Sequence, residues 1–146
     1  MAADELRRHN LAVVLSRLHL GGRFSRSELA SGTGLNRSTI ADLVGELLAL
    51  GLVEEGPALV VSGPGRPSPV VRTRPDGAVV LAVELSVDSI AVATVGLGGH
   101  VYNHLRIERP REHLSPAEAV NDIANLARPL IASLPTQHTF VGVGVG

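Results

Sequence analysis

The sequence predicts an α+β fold in two unlike parts, with helices gathered at the front and β-branched strands at the rear. Three observations carry this. Between Asp4 and Gly51, two long runs place apolar residues at i, i+3, i+4 and i+7, with a short capped helix between them. From Ala78 to Glu108, runs rich in Val, Ile and Ala alternate with glycine turns, as strands do. Separating the two, Gly63-Pro64-Gly65-Arg66-Pro67-Ser68-Pro69 can be neither helix nor central strand, because proline lacks an amide donor and fixes φ.

Taken in order, the first helix runs from Asp4 to about Leu20. Its stripe is Leu11, Val14, Leu15 and Leu18, and Gly21-Gly22 ends it. The second starts at Ser25. Ser25-Arg26-Ser27-Glu28 has capping-box spacing: the hydroxyl accepts from the amide of residue 28, and Glu28 reaches back to the amide of residue 25. Gly32-Thr33-Gly34 breaks this helix after about two turns. Asn36 caps the third helix and Gly51 closes it from the C′ position. Ile40, Leu43, Val44, Leu47 and Leu48 form its buried stripe, which leaves Ser38, Asp42, Gly45 and Ala49 on the opposite face, a surface with few bulky groups. Two capped helices at this spacing read as a helix-turn-helix. Leu52–Glu55 and Val70–Thr73 are short strands, and Ala58–Ser62 is a further apolar run. Helix, helix, helix, strand, loop, strand is the order of a winged helix-turn-helix, with residues 56–69 as the wing. Arg74-Pro75-Asp76-Gly77 is a turn and marks a domain boundary, giving domains 1–75 and 76–146.

In the rear part, Ala78–Leu85 and Ser89–Val95 are strands, Gly96-Leu97-Gly98-Gly99 is a turn, and His100–Glu108 is a third strand. Ser115-Pro116-Ala117-Glu118 is a second capping box with proline at N1, opening a helix to roughly Leu134. Pro129 is expected to kink or shorten it. Thr139–Gly146 begins a fourth strand. Three strands, a helix and a fresh strand make an opening rather than a finished domain, so an N-terminal fragment of a longer protein is expected.

Composition narrows the function. Phe24, Tyr102 and Phe140 are the only aromatics, which argues against modules that stack unpaired bases. The absence of cysteine excludes disulfides, thiolate metal sites and cysteine nucleophiles from these residues. Apolar runs are broken by Arg, His or Gly within a few residues, so neither a signal peptide nor a membrane span is expected, and the protein is read as cytoplasmic. The net charge of −1 conceals an asymmetry: residues 1–75 hold nine Arg against seven acids, and residues 76–146 four Arg against seven. All thirteen basic residues are arginine, the side chain suited to bidentate phosphate and guanine contacts, although a GC-rich genome produces the same bias.

With both parts laid out, the chain resembles the ROK family (repressors, open reading frames and kinases), specifically its transcriptional regulators. The residues that carry this are RRHNLAVVLSRLHLGGRFSRSELASGTGLNRSTIADLVGELLALGLVEE, then GPGRPSPVV, then PDGAVVLAVELSVDSIAVATVGLGGHV, and finally VGVGVG. The resemblance covers essentially the whole chain. It implies a winged helix-turn-helix followed by the opening strands of an actin-like, ribonuclease H-like (sugar-kinase-type) α/β domain, truncated here. Family members are commonly more than twice as long, so the inducer site and the cysteine-rich zinc site of many members would lie elsewhere. ROK kinases carry an Asp-x-Gly-Gly-Thr phosphate loop. At the matching place stands Glu84-Leu85-Ser86-Val87-Asp88-Ser89, with both glycines absent, so close phosphate approach should be blocked. The resemblance therefore implies a regulator that keeps the kinase fold as a sugar or sugar-phosphate sensor without the chemistry.

The candidate DNA-contact set is Arg23, Ser25, Arg26, Asn36, Arg37, Ser38, Thr39, Asp42, Gly65, Arg66 and Pro67. Arg37 and Ser38 are read as phosphate or base contacts and Asn36 as a cap. Asp42 either accepts from a cytosine amino group or pairs with an arginine, the second being favoured. Gly65-Arg66-Pro67 resembles minor-groove hooks that lay an arginine into a narrow A·T-rich groove; the alternative is a proline-rich linker. Arg23 and Arg26 are read as backbone phosphate contacts or as solvated surface. His9, His19, His100, His104, His113 and His138 show no metal-ligand spacing. No helix follows Gly142-Val143-Gly144-Val145-Gly146, so it is not read as a dinucleotide loop. The partners expected are double-stranded DNA, a sugar or sugar-phosphate effector in the full-length protein, and a second copy forming a homodimer. No membrane, cofactor, metal or catalytic residue is expected. Two rival readings remain: an ATP-dependent sugar kinase with an N-terminal extension, and a winged-helix protein-interaction module.

Overall fold

The computed structural model describes residues 2–57, 69–109 and 115–146, in which helices and strands follow one another largely as the sequence predicts. Helix α1 spans Ala2–Gly21, strand β1 Arg23–Ser25, helix α2 Arg26–Thr33, helix α3 Arg37–Ala49, strand β2 Val53–Gly56 and strand β3 Val70–Thr73. Strands β4 (Val79–Leu85), β5 (Ser89–Gly96) and β6 (His100–Glu108) follow, then helix α4 (Pro116–Ala132) and strand β7 (Phe140–Val145). Short 3-10 turns at Pro75–Gly77 and Leu97–Gly99 join the pieces.

Two separate apolar cores result. In the first, Val14 and Leu18 of α1, Leu29 of α2 and the Ile40, Leu43, Val44 and Leu47 stripe of α3 close over Val53 and Val71 of the small sheet. Each buried Leu or Ile there is worth about 1.5–3 kcal/mol of transfer free energy. The small sheet is antiparallel, ordered β1-β3-β2. Strand β1 is a departure from the sequence reading. Its three residues are too few to show alternation, and they are extended because Ser25, as N-cap of α2, must take a β conformation (φ −69°, ψ 159°). The open edge of β3 then pairs with them. Strands β2 and β3 pair from Val53↔Thr73 to Gly56↔Val70, so residues 57–69 connect two neighbouring strands. Gly65, Arg66 and Pro67, and the whole Ala58–Ser62 run, lie outside the described residues, as does His113.

The second core lies between α4 and a four-stranded sheet ordered β6-β5-β4-β7. Leu81, Val83, Ile90 and Val92 point to one face and meet Ala127 and Leu130, with Ile107, Ile123 and Leu126 at the margin. Strands β4, β5 and β6 form an antiparallel meander, and α4 carries the chain back so that β7 pairs parallel with β4. The capping box at Ser115 forms: Glu118 accepts from the Ser115 amide at 2.9 Å and its own amide donates to Ser115 Oγ at 3.3 Å. Pro129 does not end α4 where it stands, and the helix stops two residues short of the expected Leu134. The helix continues to Ala132, because one missing amide this close to the C-terminus frees only the exposed carbonyl of Asn125. Strand β7 pairs on one side only, and Val141, Val143 and Val145 are exposed.

The two cores meet main chain against main chain. A Cβ built on Gly77 would lie 2.5 Å from the Gly51 carbonyl oxygen, and one on Gly96 would lie 2.2 Å from that of Pro75. The Arg74 amide donates to the Leu52 carbonyl at 2.9 Å. Arg74 and Asp76 pair through two contacts of 2.6 and 3.2 Å, and that bond chiefly holds the Asp76 carboxyl below its ordinary range. Farther along the junction, the Gly98 amide donates to His19 Nδ1 at the end of α1, at 2.9 Å.

Candidate nucleic-acid interface

Local chemistry fixes the α2–turn–α3 unit at each end. Ser25 Oγ accepts from the Glu28 amide at 3.2 Å, while a Glu28 carboxylate oxygen accepts from the Ser25 amide and hydroxyl, each at 2.7 Å. The backbone bond from Ser25 and then its hydroxyl bond hold the Glu28 carboxyl below its ordinary value. Ser25 is itself buried, so its contribution is to set where α2 begins. Gly34 ends α2 in the left-handed region (φ 73°), which a side chain would resist. Asn36 Oδ1 accepts from the Thr39 amide at 2.8 Å and from Ser38 Oγ at 2.7 Å. The cap thus uses the Asn36 carbonyl and orients the Ser38 hydroxyl.

The α3 stripe faces the core as expected, and Arg37, Ser38, Asp42, Gly45 and Ala49 are exposed. A Cβ at Gly45 would meet nothing within 4 Å. Asp42 makes no ion pair among the described residues. The reason is local: the positions one turn away are Ser38, Thr39, Gly45 and Glu46, none of them basic. Arg37 and Arg23 likewise make no ion pair among the described residues. Arg26 Nη2 lies 2.7 Å from Glu55 Oε1 on β2. That pair is exposed and worth at most about 1 kcal/mol.

Two arginines escaped the sequence reading. Arg17 lies on α1 with its guanidinium carbon 5.0 Å from the centre of the Phe24 ring, in space left by Gly32. Arg72 of β3 stands directly opposite Arg23 and bonds Glu54 through Nε at 2.6 Å. Neither placement follows from local spacing. Arg17 meets Phe24 only once β1 folds back against α1, and Arg72 meets Arg23 only once the unforeseen β1 pairs.

At the expected phosphate-loop position, β4 and β5 are joined by a tight hairpin in which the Ser86 amide donates to the Ser89 carbonyl at 2.9 Å. The turn carries Ser86 and Val87 outward, and Ser86 Oγ donates to Glu84 at 3.3 Å. Among the described residues, no three His, Asp or Glu side chains converge as metal ligands, and no helix is long and apolar enough to cross a membrane.

Three helices on a small antiparallel sheet, followed by a second sheet under one helix, make an α+β arrangement. In particular, the chain is similar to a crystal structure of a ROK family transcriptional regulator described as a homologue of the E. coli MLC protein. The TM-score is 0.61 at 19% identity, over 96% of this chain. At that identity the likeness is one of fold. The chain spans 35% of the length of that structure. No protein-family model and no curated protein matches the sequence.

Proposed function

We propose that this chain is the DNA-binding front of a sequence-specific transcriptional regulator, a repressor of sugar-related genes. In this reading residues 1–75 form a winged helix-turn-helix, and residues 76–146 open a non-catalytic, sugar-kinase-like sensing domain. Helix α3 enters the major groove, Arg37 and Ser38 contact bases or phosphate, and Asp42 accepts from a cytosine amino group. Arg23 and Arg26 lie along the backbone, Arg26 exchanging Glu55 for phosphate, and the Gly65-Arg66-Pro67 segment lays Arg66 into the adjacent minor groove. A homodimer sets two heads about one DNA turn apart, and a sugar or sugar-phosphate effector changes their spacing.

The observation that carries the reading is the outer face of α3: capped at Asn36, begun by an arginine without an ion pair among the described residues, and lined by small side chains that leave a groove room to approach. The fold likeness to a ROK regulator supports it. The glycine-free β4–β5 hairpin favours a sensor over an ATP-dependent kinase, because backbone amides there lack the open approach that phosphates need.

The test is fluorescence anisotropy of the full chain against duplexes selected from a random library, at two salt concentrations. Binding that survives random competitor, with a salt slope of several phosphates and a loss in Arg37→Ala, is expected. Equal competition by any duplex would remove the sequence-specific reading and leave a protein-docking role for α3.

A further inference from the structure

A cleft of about 460 Å³ lies where the small sheet meets the turn between β5 and β6. Arg23 and Arg72 line one side, and Gly98, Gly99 and His100 line the other. The two arginines occupy directly opposed positions on β1 and β3, where like charges destabilise a sheet unless something neutralises them. Glu54, opposite Arg72 on β2, engages only Arg72 Nε. Among the described residues, the terminal nitrogens of Arg72 and the whole guanidinium of Arg23 make neither a hydrogen bond nor an ion pair. Arg23, and Arg72 with its terminal nitrogens open among the described residues, thus line a concavity that the turn into the second sheet also lines.

The geometry points to a phosphate-binding site in this cleft, with Arg23 and Arg72 as the clamp and His100 at its rear margin. Guanidinium forks match phosphate oxygens bidentately, and a doubly charged oxyanion offsets the repulsion that the opposed arginines otherwise sustain. Because one wall comes from each sheet, a group bound here touches both halves of the chain. The site stands independently of what α3 contacts. The phosphate can belong to a phosphorylated small molecule or to a nucleic-acid backbone, and the same chemistry serves both.

The experiment follows the His100 ring and arginine Nε–H signals of the full chain by NMR at constant ionic strength. The probes are glucose 6-phosphate, glucose, sodium chloride and a random-sequence duplex. Saturable shifts with a phosphate-bearing probe, absent with glucose and chloride, are expected. Arg23→Gln and Arg72→Gln, both at exposed positions, should each weaken that binding about tenfold, the share of one charge-assisted hydrogen bond. Saturation by glucose 6-phosphate with unchanged duplex affinity in Arg72→Gln, a residue outside the proposed DNA-contact set, assigns the site to a small phosphorylated ligand. Saturation by duplex alone, weakened in Arg72→Gln, assigns it to backbone phosphate. Shifts that chloride reproduces, or that persist in both variants, overturn the site.

Discussion

Gly45 lies in the interior of α3, on the exposed face it shares with Ser38, Asp42 and Ala49. Replacing it with alanine acts on stability and on DNA binding in opposite directions. Glycine inside a helix costs about 0.8–1.0 kcal/mol relative to alanine, mostly through the entropy of the unfolded chain. No heavy atom lies within 4 Å of the added Cβ, so no clash reduces the gain. Gly45→Ala should therefore stabilise by about 1 kcal/mol, raising a urea midpoint by roughly 0.3–1 M for a small domain. If this face enters a groove, the same methyl occupies space that the duplex needs. An overpacking cost of about 1–3 kcal/mol then lowers affinity on the order of tenfold or more. The assay is paired: urea unfolding followed by circular dichroism, and duplex anisotropy on the same preparation. A fall in stability would refute the open-space argument. Affinity that is unchanged, or rises with stability, would place this face of α3 away from DNA.

Two further outcomes are expected. Gly96→Ala puts a methyl 2.2 Å from the Pro75 carbonyl oxygen, a backbone atom that cannot rotate away, so it should destabilise by about 1–3 kcal/mol in the same unfolding assay; a midpoint matching the wild type would mean that the junction yields. Glu28 has its carboxyl held below the ordinary 4.5 by Ser25, so its stabilisation is complete above about pH 4.5 and is lost as pH falls through the lower folded value. Glu28→Gln should flatten that acid limb, and parallel acid limbs in the two proteins would show that the cap carboxylate does not contribute there.

How much was legible depended on whether the cause was local. The caps at Ser25, Asn36 and Ser115 were readable because donor and acceptor lie within three residues of each other. The buried stripe of α3 was readable from its period, and the strands of the rear sheet from their β-branched runs. Strand β1 was not, since the N-cap at Ser25 makes it extended but its pairing partner is the free edge of β3, some fifty residues away. Separation in sequence likewise hid the opposition of Arg23 and Arg72 and, across 29 residues, the pairing of Arg26 with Glu55. The roles of Gly77 and Gly96 were equally silent in sequence: each is glycine because another segment's carbonyl occupies the place of its Cβ.

Those two glycines also set the mechanical character of the chain. Joints between protein parts commonly have slack, because side chains between the two main chains can change rotamer and absorb a displacement. At Gly77 no side chain takes part and at Gly96 only the edge of the Tyr102 ring adds to the contact, so the carbonyls of Gly51 and Pro75 bear on the opposing backbone. The Gly51 contact lies two residues beyond the last turn of α3. A push on the hairpin that ends at Gly96 therefore has nothing soft to compress before it reaches the helix. The joint works as a stiff lever arm rather than a tether.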